Sequence, residues 1–101
     1  MAELTSKQRA YLRSLANPLK PILQVGKEGV TDELAQSVNE AFHNRELLKV
    51  KVQEAAPLDA RETAPELAER VSGAHVIQVI GRTVVLYRRH PEKPEIRLPP
   101  G

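Results

Sequence analysis

A chain of 101 residues with 41% hydrophobic content and no cysteine is sized for one domain around one core, and it excludes disulfide scaffolds and thiolate metal sites. A net charge of +2 and a pI near 9.2 permit an anionic partner without requiring one, so the placement of the charges matters more than their sum. No apolar run reaches membrane-spanning length and Met1 to Leu15 lack a continuous apolar signal core, so a cytoplasmic protein with no membrane partner is expected.

Thr5-Ser6-Lys7-Gln8 has the form of a capping box, and Leu4, Tyr11, Leu12 and Leu15 give an approximate helical stripe to about Ala16. Arg9 and Arg13 lie four apart and share a face of this helix, which Asn17-Pro18 ends. Pro21 to Val25 reads as a short strand with proline at its start, where a missing N–H is tolerated.

Gln24-Val25-Gly26-Lys27-Glu28-Gly29-Val30-Thr31 follows, an apolar run closed by two glycines spaced by three and then by a helix cap. Gly26 and Gly29 permit backbone torsions and a close approach that side chains would block, and the first N–H groups of the next helix then face an anion. Lys27 adds a mobile positive charge, whereas the Glu28 carboxylate opposes a phosphate and must be outweighed by Lys27, Arg9, Arg13 and Lys20. The ordinary alternative is a plain strand-to-helix turn.

Thr31 caps the second helix, with Asp32 and Glu33 in its first turn and Leu34, Val38, Ala41 and Phe42 recurring toward Asn44. Leu47 to Val52 alternates, placing Leu48, Val50 and Val52 on one face and Lys49 and Lys51 on the other. Gln53 to Arg61 reads as a loop, and Thr63-Ala64-Pro65-Glu66 as a capping box that starts a third helix running to Ser72, stopped by Gly73.

His75–Ile80, Gly81-Arg82 and Thr83–Arg88 form a hairpin with glycine first in a two-residue turn. Pairing Ile80 with Thr83 puts Ile77, Val79, Val84 and Leu86 on a core face and Val76, Gln78, Val85 and Tyr87 on the other. The order α-β-α-β-α-β-β specifies a single small α/β domain with a four-stranded mixed sheet packed with helices, whose helices following the strands cover the Leu48, Val50, Val52, Ile77 and Leu86 face. Residues 1–90 form this domain and residues 91–101 a proline-rich extended tail in which Ile96 and Leu98 have the chemistry to dock.

Three ordered pieces, Val25 to Thr31, Glu46 to Val52 and Gln78 to Arg88, closely resemble the CRM domain, the RNA-binding module of chloroplast RNA splicing and ribosome maturation, in its stand-alone bacterial form. The resemblance spans roughly residues 3–98. It implies a fold similar to the C-terminal domain of translation initiation factor three, a loop like the GxxG loop of KH domains, and association with ribosomal RNA of precursor large ribosomal subunits. Its RNA-facing residues fall on Gly26, Lys27 and Gly29 in the loop, on Lys7, Arg9, Arg13 and Lys20 in and after helix one, and on Lys49, Lys51, Arg82 and Arg88 of the sheet.

Other chemistry finds little footing. His43, His75 and His90 sit on different elements without cysteine partners, the serines lack a nucleophile elbow, and the loop lacks the Gly-Lys-Ser/Thr ending of a P-loop. No enzyme, metal, cofactor or small-molecule substrate is expected, and a monomer is. With 3% aromatic residues, base stacking of the RNA-recognition-motif kind is not supported. The rival reading is a protein-interaction adaptor on ribosomal particles that works through the acidic third helix or the tail.

Overall fold

A computed structural model describes residues 3–101. The order is α1 (Ser6–Ala16), β1 (Leu23–Val25), α2 (Asp32–Ala41), β2 (Leu47–Val52), α3 (Ala60–Arg70), β3 (His75–Ile80) and β4 (Thr83–Tyr87). The strands form one mixed sheet in the order β1-β2-β4-β3, with β1 parallel to β2 and the other two pairings antiparallel. The α/β class and the element order are those read from the sequence.

Local capping explains where the first two helices begin. The Thr5 hydroxyl accepts from Gln8 N and the Gln8 side chain accepts from Thr5 N, closing the expected capping box. Thr31 accepts from Leu34 N at 3.0 Å, while Asp32 and Glu33 complement the helix dipole.

The third helix departs from expectation. Its N-cap is Asp59, whose carboxylate accepts from Glu62 N at 2.8 Å, so the helix starts at Ala60 and Pro65 lies inside it. Thr63 is buried rather than a cap, with its hydroxyl directed at the Leu58 carbonyl. Pro65 removes the bond to the Arg61 carbonyl, a cost normally near 3 kcal/mol or more in a helix interior. Arg61 and Pro65 are both exposed, so water reaches that carbonyl. The helix ends at Arg70, two residues before Ser72, because Val71 turns extended and Gly73 takes φ 79°.

The hairpin register also needs one correction. Ile80 pairs with Thr83 as expected, but a bulge lies between Val76 and Gln78, where Val76 opposes Leu86 and Gln78 opposes Val85. The extra residue is Ile77, and everything N-terminal to it changes face. Val76 therefore joins Val79, Val84 and Leu86, while Ile77 joins Val85 and Tyr87.

Both sheet faces are cores. α2 and α3 cover one through Val38, Phe42, Ala64 and Leu67 against Leu48, Val50, Val84 and Leu86. α1 covers the other through Leu12 and Ala16 against Leu47, Ile77, Val85 and Tyr87, with Ile96 and Leu98 of the tail packed beside them. The edge strands are protected in different ways. β1 has three residues, and on β3 the Arg9 guanidinium donates to the Val76 carbonyl at 2.7 Å.

The tail is fastened by a buried carboxylate. Glu46, 5% exposed, accepts from the backbone N–H of His90, Glu95 and Ile96 at 2.7–2.8 Å. Burial pushes this carboxyl up, but the three N–H donors and nearby His90 together outweigh that and hold it below its ordinary value. A carboxyl depressed in the folded state stabilises above the unfolded-state pKa and loses its contribution as pH falls through the folded-state value. Glu46→Gln should cost about 1–3 kcal/mol in denaturant unfolding, because an amide nitrogen then faces N–H donors. In the natural chain, the protection of the Ile96 amide relative to its intrinsic exchange rate should fall on acidification below the normal carboxylate range, and in the variant that protection should be low at neutral pH too.

Candidate nucleic-acid interface

The β1–α2 loop is built around a turn in which Gly29 N donates to the Gly26 carbonyl at 3.0 Å, leaving Lys27 and Glu28 exposed at its tip. Gly29 takes φ 74°, and a Cβ there would meet Pro57 Cγ at 3.2 Å. Glycine is therefore required at 29 by both torsion and space. Gly26 differs, since its φ is not positive and the nearest atom to a Cβ would be Gln53 Oε1 at 3.6 Å. It keeps the loop mouth bare without being demanded by the backbone.

Beneath the loop lies an open cleft of about 490 Å³ walled by Gln24, Gln53 and the loop itself. The Gln24 and Gln53 side chains are hydrogen-bonded across it, and Gln53 N donates to the Val25 carbonyl at 2.9 Å. Val30 is buried and anchors the loop from below. Arg70 at the end of α3, which the sequence reading did not single out, donates to the Val30 carbonyl and pairs with Asp32. That pairing offsets one of the two carboxylates at the start of α2, where N–H groups lack intrahelical partners. The Asp32 side chain is 96% exposed, so the ion pair shapes the local field more than it stabilises the fold.

Strand register decides which cations join this loop. Gln24 pairs with Lys51 and Val25 with Val52, while Val52 N donates to the Arg82 carbonyl at 2.7 Å. The glycine loop, Lys51 and the Gly81-Arg82 turn thus share one end of the sheet. Lys49 leaves β2 on the same face as Lys51, and its Nζ donates to the Leu19 carbonyl beside exposed Lys20. Arg13 sits in the last turn of α1. Gly26, Lys27, Gly29, Lys51 and Arg82 are brought together, and Lys49 and Lys20 extend the set along the face that carries α1, whereas Arg13 shares its helix face with Arg9, which turns to the β3 edge.

The other expected residues lie elsewhere or already have partners. Lys7 is exposed in the first turn of α1, and Arg9 is turned to the β3 edge. Arg82 pairs with Glu54 at 2.9 Å, both side chains being largely in solvent. Arg88 lies 4.9 Å over the Phe42 ring and donates to the Asn39 and Ser72 carbonyls at 3.2 Å, so it closes the C-terminal end of α2. Burial pushes its guanidinium pKa down, in keeping with that interior role.

A small α/β domain presenting a GxxG loop above a lysine-bearing sheet face is the class of protein that these elements define. The model of the CRS1 / YhbY (CRM) domain matches residues 4–88, and the chain belongs to that family. It is 43% identical over 96 residues to the "Probable RNA-binding protein YqeI" of Bacillus subtilis, covering 95% of this chain and 99% of that one. An "RNA-binding protein" of Haemophilus influenzae is 33% identical, with 98% of each chain covered. The maize CRM-domain containing factor CFM3, chloroplastic/mitochondrial, is 37% identical over 90 residues, 87% of this chain but 11% of that protein. Among solved structures, a hypothetical protein from Staphylococcus aureus, described as a candidate RNA-binding protein, matches with TM-score 0.80 at 41% identity, over 96% of this chain and all of that one.

The two loop glycines should respond differently to alanine. Gly29→Ala should cost about 1–2 kcal/mol for forcing a side chain into the left-handed region, with a further penalty at Pro57, whereas Gly26→Ala should unfold at nearly the natural denaturant midpoint. Equal midpoints for the two variants would contradict the loop geometry.

Proposed function

We propose that this chain binds structured RNA through the glycine loop and the adjoining lysine face, and that its target is ribosomal RNA of precursor large ribosomal subunits, whose assembly it assists. The observation that carries the reading is the bare, hydrogen-bonded Gly26–Gly29 turn with Lys27 at its tip, at the same end of the sheet as Lys51 and Arg82. Relatives covered over nearly their full length are named for RNA binding, which supports the same chemistry here. Loop N–H groups and mobile ammonium groups grip phosphates, and the spacing of the cations selects shape rather than base sequence. Gly26, Lys27, Gly29, Lys49, Lys51 and Lys20 are the residues in closest position for this role, with Arg82 available if its exposed pairing to Glu54 opens.

The adaptor reading draws less support from the tail, because Ile96 and Leu98 are docked against the α1 side of the sheet rather than offered to a partner. Charge reversal separates the two. Lys27→Glu combined with Lys51→Glu should abolish binding to large-subunit precursor RNA while leaving thermal unfolding close to that of the natural chain. For single substitutions to alanine, each lost phosphate contact should flatten the slope of log affinity against log salt by about 0.7–0.9. Binding that is insensitive to salt, or unchanged by the double reversal, would contradict the proposal.

A further inference from the structure

A cavity of about 970 Å³, roughly twice the volume of the cleft beneath the glycine loop, lies at the opposite end of the sheet from that loop. Its walls come from the start of α1, the end of α2, the start of β3 and the segment following β4. Because Tyr87 pairs with Leu47 and Thr83 with Lys51, the length of β4, about 14 Å, separates the two ends.

Ring-bearing side chains collect there. The chain has one phenylalanine, two tyrosines, no tryptophan and three histidines, and of these only Tyr11 does not line the cavity. Phe42 and Tyr87 are buried, while His75 and His90 are half-buried and His43 is exposed. His75 is stacked on Tyr87 with centroids 6.3 Å apart and planes 30° from parallel. The sequence places these rings on separate elements, and only the fold joins them.

Charge at the rim is mixed and balanced, two arginines against two carboxylates. Arg88 faces the cavity but is held by Phe42, Asn39 and Ser72. Arg89 is exposed and close enough to Tyr87 to oppose the upward push that burial and Glu46 exert on its phenol. The carboxylates of Glu3 and Glu92 also line the rim. An apolar cavity of this size with a few polar groups converging on it has the character of a small-ligand site. An aromatic and imidazole wall beside a solvent-facing arginine matches a planar heterocycle joined to an anion.

We propose that this cavity receives one unstacked nucleotide of RNA, with its base against the half-buried His75 ring, which Tyr87 backs from the interior, and its phosphate toward Arg89. Unpaired bases splayed from loops and ends are commonly held on aromatic or histidine rings. This inference rests on the RNA-binding reading above and adds a second, base-contacting point to a loop that contacts phosphates.

The test is an amide-shift titration of the full chain with each of the four ribonucleoside 5′-monophosphates, with ribose 5-phosphate and inorganic phosphate as probes lacking a base. Nucleotides should shift His75, Tyr87 and Arg89 with half-saturation at about 1 mM, the affinity of a single weak contact, and the probes without a base should not. His75→Ala should weaken this about tenfold, as loss of one base–aromatic stack does, and Arg89→Ala, at an exposed position, should weaken it with the fold intact. A short single-stranded RNA should compete with the mononucleotides. Silence at the cavity while structured RNA still binds the glycine loop overturns this proposal and leaves the proposed function standing. Equal shifts from ribose 5-phosphate overturn the base assignment. Nucleotide binding with no competition from RNA overturns the RNA assignment.

Discussion

The structure depends on burying both faces of the central strand pair. β2 and β4 alternate Leu48, Val50, Val84 and Leu86 toward α2 and α3 with Leu47, Val85 and Tyr87 toward α1. A sheet buried on both sides needs a layer on each, which is why α1 and the tail are structural parts of so small a chain. Covering both faces leaves the ends of the sheet, and the part of the α1-side face where Lys49 and Lys51 leave β2, as the surfaces free to meet a ligand. The glycine loop stands at one end and the ring-lined cavity at the other.

Polar residues then divide between holding the fold and facing outward. Glu46, Arg88, Arg70 and Arg9 each bond to backbone atoms of a distant segment, joining tail, helix end, loop and sheet edge. Such contacts are strongly felt when one partner is removed, because the group left behind stays shielded from water. Lys27, Lys51 and Lys20 are exposed on the side away from Glu62 and Glu69 of α3, where together they outnumber Glu28 at the loop tip while Glu54 is paired with Arg82. A modest net charge is thus compatible with a locally positive surface.

What the sequence made legible was local. Thr5 with Gln8, and Thr31 before an acidic turn, specify their helices by chemistry contained within four residues. Leu47 to Val52 declares its two faces by strict alternation. The start of α3 misled because Pro65 and Thr63 imitate a first turn, while Asp59, following Pro57, is the residue whose side chain meets a free N–H. The bulge at Ile77 left no local mark, since Val76 and Ile77 are equally apolar and only pairing against Leu86 and Val85 decides between them. Within the candidate site, the loop and Lys51 were legible from spacing. Arg88 looked like a surface cation, and its place over Phe42 depends on contacts 46 residues apart in the chain. Glu46, Arg70 and the convergence of three histidines likewise depend on long-range packing that periodicity does not encode.

The central claim is that the loop end of the sheet and the lysine face of β2, not α3, form the surface that meets RNA. The most direct measurement is amide-shift and exchange mapping of the full chain on addition of a large-subunit ribosomal RNA fragment. The account predicts that Gly26 to Thr31, Lys49 to Lys51 and Arg82 shift and gain protection, while Glu62 to Glu69 do not respond. Perturbation confined to α3, with the glycine loop unaffected, would contradict it.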